Sequence, residues 1–198
     1  MKKHLIIAAL ALVVAAFISC KEKDGRGSEA VTVANVSAEN DFGNKQNLLF
    51  GKIYREITDI PELQFLENHR GYGGKVIRAN DGRFGFSYYF DENENIYCFF
   101  EEFTQRDASG RPGYKILDTI HIGKLNDRER FIFDCQQNET EQDSEIFAIV
   151  LVKDDNDFRD KPYFDNIVRA WRANTMTGRI MPIESLKGIK GVNNDYGI

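Results

Sequence analysis

Asp91, Asn93, Asn95 and Glu102 stand at relative positions 1, 3, 5 and 12 of one stretch of this chain. Those are oxygen-ligand positions of a helix-flanked calcium loop. Position 6, where the sharp turn of such a loop needs glycine, is Ile96. Phe99, Phe100 and Phe103 fill the second half, and the flanks have strand character. The segment therefore reads as a polar hairpin turn, with Asp91, Asn93 and Asn95 kept as weak cation candidates. The acidic loop Asp154-Asp155-Asn156-Asp157 has the same two readings, a solvated turn before a cation site.

Nucleophiles and general bases are sparse. Past the N-terminal segment the chain has two histidines, His69 and His121. Neither has a neighbour at metal-ligand spacing. Cys98 and Cys135 each sit inside an apolar stretch, Ile96–Phe100 and Phe131–Cys135. They read either as a disulfide or as two buried free thiols. Their spacing is not that of a zinc site. Gly71-Tyr72-Gly73-Gly74-Lys75 imitates a phosphate loop, but His69 and Val76 stand where that motif needs glycine and a hydroxyl residue. It reads as a loop between a helix and a sheet. Glu101 and Glu102 are adjacent on an expected strand, so they point to opposite faces and cannot flank one glycosidic bond. The remaining candidates are aromatic. Tyr72 and Trp171 stand out among the residues able to stack on a ligand ring, against the alternative that they fill the core. No residue is assigned a catalytic role, and no cofactor is expected.

The elements that position these groups are mostly strands. Lys75–Ala79 and Arg83–Phe90 flank Asn80-Asp81-Gly82, a hairpin signal because these residues tolerate positive φ. Phe84, Phe86, Tyr88 and Phe90 alternate along one face of the second strand. Further strands are expected at Ile96–Thr104, Tyr114–Ile122, Arg130–Cys135, Glu145–Lys153, Phe164–Arg172 and Arg179–Ile183. Asp59, Pro61 and Glu62 predict the start of a short helix running to His69. Leu48–Ile57 fits helix or strand. The expected fold is mainly β: one antiparallel sandwich or barrel of about eight strands, with one short helix near its N-terminal side. It should span residues 47–185, followed by a loosely held tail at 186–198.

The N-terminus has a different character. Lys2 and Lys3 lead into 14 apolar residues, Leu5 to Ile18, then Ser19 and Cys20. That run is shorter than the ~20 residues a membrane-spanning helix needs and matches the core of a secretory signal. Ending as it does in Phe17-Ile18-Ser19-Cys20, the segment resembles the signal of a bacterial lipoprotein. The looser boxes of Bacteroidota-type lipoproteins also depart from the usual leucine at the Phe17 position. The resemblance covers residues 1–20. It implies removal of residues 1–19, a lipid (palmitate among its acyl chains) on Cys20, and an outer-membrane anchor facing the periplasm or the cell surface. Residues 20–46 are small, polar and charged, and read as a tether with a typical span of ~28 Å.

Loss of Lys2 and Lys3 takes the net charge from −5 to −7. An acidic chain with no basic stripe is repelled by nucleic acid. The expected partners are the membrane, through the lipid on Cys20, and an envelope protein or glycan. The function that follows is a non-enzymatic, membrane-anchored binding module. The alternatives are a barrel-type carrier of an apolar ligand and, third, a secreted hydrolase.

Overall fold

Ile146–Leu151 is a run of six apolar residues. A strand with one wet face would alternate; an unbroken run asks for apolar neighbours on both faces. Our computed structural model supplies them. It describes Phe42 and residues 46–69, 71–138, 142–154 and 157–196. The expected signal peptide, Cys20 and nearly all of the tether lie outside these residues.

In chain order the strands are β1 (Ile53–Tyr54), β2 (Gly71–Ile77), β3 (Phe84–Phe90), β4 (Asn95–Arg106) and β5 (Pro112–Lys124). They continue with β6 (Glu129–Ile132), β7 (Cys135–Gln137), β8 (Gln142–Asp143) and β9 (Ile146–Leu151). The last are β10 (Tyr163–Phe164), β11 (Ile167–Asn174), β12 (Arg179–Pro182) and β13 (Ile189–Val192). They form three antiparallel sheets, ordered β1-β5-β4-β3-β2, β12-β11-β9-β6 and β10-β13-β7-β8.

The sheets stack face to face, as in a sandwich, and none closes into a barrel. Between the first two lies the largest apolar cluster. Phe86, Cys98 and Phe100 of the first sheet meet Phe147, Ile149 and Trp171 of the second. Phe86 and Phe147 have ring centroids 4.3 Å apart. The opposite side of β9, through Ile146 and Ala148, packs with Cys135 and Ile189 of the third sheet. The other face of the five-stranded sheet is covered by the segment that precedes it. Phe42, Leu49, Ile57, Ile60, Leu63 and Leu66 pack there against Tyr97 and Phe99.

Mainly β antiparallel architecture is thus as expected, and the Phe84–Phe90 alternation does face the core. Asp81 and Gly82 do take positive φ in the turn between β2 and β3. Other expectations need correction. Among the described residues thirteen strands replace about eight. The additional ones, β1, β7, β8, β10 and β13, have two to four residues each, too short to show a period in the sequence. The expected helix at 60–69 is two 3-10 segments, Ile57–Asp59 and Pro61–Leu66. Asp59 serves the first of them, accepting from the backbone N–H of Arg55 and Glu56. The expected tail is in fact partly sheet, because β13 pairs with both β7 and β10. The tether gives up its last residues, since Phe42 is buried and Gln46 Nε2 donates to the Thr119 carbonyl.

Candidate functional site

The covering segment does not reach across the whole outer face of the first sheet. Where it stops, a cleft of about 520 Å³ opens over β2, β3 and β4. Register explains its shape. Gly74 pairs with Ser87, and Val76 pairs with Gly85, which pairs in turn with Glu101. Paired residues share a face, so the floor carries two glycines and a serine. These glycines are places of close approach. A Cβ on Gly74 would lie 2.9 Å from the Phe86 carbonyl oxygen, and one on Gly85 would lie 2.8 Å from the Phe103 ring. Gly71–Gly74 is therefore part of strand β2, not the expected loop.

One wall is tyrosine. Tyr72, 72% exposed, pairs across from Tyr89, with ring planes 21° apart and centroids 6.0 Å apart. The His69 ring meets both edge-on, each at 5.3 Å. Its Nδ1 lies 2.9 Å from the Leu66 carbonyl oxygen, so the imidazole is fixed as a buttress. The facing wall has Tyr54 and Tyr114, whose centroids are 5.5 Å apart. Arg55, Glu56 and Arg111 form the rim. Arg55 pairs with Asp107 at 3.4 Å, and Arg111 with Glu56 and Asp107 at 3.6 Å.

Glu101 lies at the floor, 2% exposed. Burial pushes its carboxyl up to about 7, against the opposing effect of hydrogen bonds from Tyr54 and Ser87. The Tyr54 hydroxyl and Ser87 Oγ, the latter at 3.1 Å, both donate to Oε1. Among the described residues Oε2 accepts no bond, and it is not sealed from the cleft. Burial and the neighbouring carboxyl also raise Tyr54 well above its usual value, so it stays a donor. Glu102 turns the other way and pairs with Arg83 and Lys115. Adjacent Glu101 and Glu102 do occupy opposite faces.

Of the residues singled out in the sequence, the cleft gathers Tyr72, His69, Glu101 and the Gly71–Lys75 strand. The others lie elsewhere. Trp171 is buried at 8% exposure and stacks on Phe147 at 5.5 Å, inside the core between two sheets. Cys98 and Cys135 are free, buried thiols in different apolar clusters. Burial pushes Cys98 well up and Cys135 up to about 12, so neither is a ready nucleophile. Asp91 is occupied as a turn cap. Its Oδ1 accepts from the N–H groups of Asn93 and Asn95, and its Oδ2 from Asn95 Nδ2 at 2.9 Å. Asp157 accepts from the Lys153 N–H and pairs with Lys161 at 2.5 Å. Among the described residues no group of three or more His, Cys, Asp and Glu side chains could hold a metal ion. His121 stacks on Tyr97 at 4.6 Å, beneath the covering segment.

Sequence reasoning passed over Glu101, Ser87 and Tyr54 as a group. One signal was there: Glu101 follows five apolar residues, Ile96 to Phe100, in a strand with no wet face. A carboxyl in that place must be buried and hydrogen-bonded. Compared with known protein families, characterised proteins and solved structures, this chain has no match.

Proposed function

We propose that this protein is a membrane-anchored envelope lipoprotein whose β domain is a non-enzymatic binding module, with the outer-face cleft as its binding site. The observation that carries the reading is the cleft itself. It combines an open tyrosine wall with one buried carboxyl that has a free oxygen. Concave sites with aromatic walls and a few placed polar groups are where ligands bind. The lipid on Cys20 would fix the location, and the tether would supply reach and a raised local concentration near envelope partners. A single acyl chain holds a membrane only marginally, so anchoring would need more than one.

Labelling cells with a palmitate analogue tests the anchor: wild type takes up label and Cys20→Ala does not. Capture from native envelope by wild type and by Tyr72→Ala tests the site. A partner held by the first and lost by the second supports it, and equal capture refutes it.

One observation favours a hydrolase as second reading. Ser87 Oγ donates to a carboxyl that burial holds near neutrality, and His69 lines the same cleft. Turnover of chromogenic esters or glycosides that vanishes in Glu101→Gln would establish it, and no turnover would remove it.

A further inference from the structure

Resting on that reading, we infer that the cleft takes a neutral, hydroxyl-rich ring, a glycan, which stacks on Tyr72 and sets a hydroxyl against Oε2 of Glu101. Three features carry the inference.

The first is the wall. Tyr72 presents its ring to solvent, while Tyr89 lies behind it nearly parallel and His69 holds both rings by their edges. A buttressed ring loses little freedom when a ligand lies on it. The axial C–H groups of a sugar ring are apolar and slightly positive. They suit the negative face of an aromatic ring.

The second is charge. The rim cations are matched: Arg55 by Asp107, and Arg111 by Glu56 and Asp107. Lys75, from β2, turns to the opposite face, where its Nζ donates to the carbonyls of Phe133 and Ile146. No surplus of either sign at the rim selects a charged ligand.

The third is the floor. Both protein donors converge on Oε1 of Glu101. When the carboxyl is protonated, the proton therefore sits on Oε2 and is donated into the cleft. When it is ionised, Oε2 accepts from the cleft. Only a partner able to both donate and accept is satisfied in either state, and a hydroxyl does so. Gly85 is the seat of the Phe103 ring, which packs onto the strand there beside the carboxyl.

The test is an array of neutral oligosaccharides built from glucose, galactose, mannose and N-acetylglucosamine. Acidic oligosaccharides and a peptide library are printed beside them. The full-length protein in detergent is the probe, and calorimetry follows on any hit. The expected result is a neutral oligosaccharide that binds wild type and binds Tyr72→Ala about tenfold more weakly or worse. Glu101→Gln should weaken it by up to about tenfold, the worth of one ordinary hydrogen bond. Tyr72 is exposed, so its variant stays folded and keeps the test decisive if Glu101→Gln does not. Binding of peptides or acidic oligosaccharides alone, lost in Tyr72→Ala, would overturn the glycan inference and leave the cleft as a binding site. Binding indifferent to Tyr72→Ala, or no binding to any probe, would overturn both.

Discussion

The two faces of the five-stranded sheet are built from the same strands and end in opposite states. On the inner face β3 and β4 present Phe86, Cys98 and Phe100 to a second sheet, and the space is filled by rings. On the outer face the same strands present Ser87 and Glu101, and a cleft opens beside them. Each face also takes a chargeable side chain out of water, Lys75 inside and Glu101 outside. Lys75 is matched by carbonyl oxygens of neighbouring strands and by Asp134 at 3.9 Å. Glu101 is matched on one oxygen only. The contrast separates a face filled by packing from one that holds a carboxyl bonded on a single oxygen.

The largest expected effect breaks the packed face. Phe147→Ala removes the ring against Phe86 and Trp171, and should lower stability by about 3–5 kcal/mol in a urea titration. Loss of a similar amount on truncating Tyr72 would erase the distinction between faces.

Glu101 and Lys75 should give the two faces opposite dependences on pH. Glu101 has a folded value near 7 against an ordinary 4.5. Folding therefore favours its protonated form, and its stabilising contribution is full below 4.5 and lost as pH rises through 7. The change is on the order of 3 kcal/mol. Glu101→Gln should flatten thermal stability across that window. Lys75 has the opposite sense. Burial lowers it from 10.5 to about 8, so stability should rise as pH goes from 8 to 10.5. Lys75→Met should abolish that rise in denaturant melts between pH 8 and 10.5.

The smallest effect on stability is expected at the cleft wall. Tyr72→Ala should change the unfolding free energy in a urea titration by no more than about 0.5 kcal/mol, as for an exposed side chain. Its consequence should fall on binding. A Tyr72 variant that unfolds would make the tyrosine wall structural.

The packed face was the legible one. The period-two aromatics of β3 and the unbroken apolar run of β9 are direct consequences of burial on one face and on two. The turn at Asn80-Asp81-Gly82 was legible because positive φ restricts the choice of residue. The cleft was not. Glycine is depleted in strands, so Gly71–Gly74 read as a loop, although here it marks close approach of Tyr88 and Phe86. Glu101 was weighed only against Glu102, whereas its partners are 47 residues away at Tyr54 and 14 away at Ser87. Contacts at those separations depend on register, which one sequence does not display. Tyr72 was marked as a stacking residue and does lie at the cleft. Trp171, marked with it, lies in the core.

One buried carboxyl, open on one oxygen, forms the floor of an otherwise neutral aromatic cleft. Carbon-13 NMR titration of the Glu101 carboxyl tests it most directly, with Glu101→Gln assigning the resonance. The expected midpoint lies near 7. A midpoint near 4.5 would place Glu101 in water and refute the buried floor.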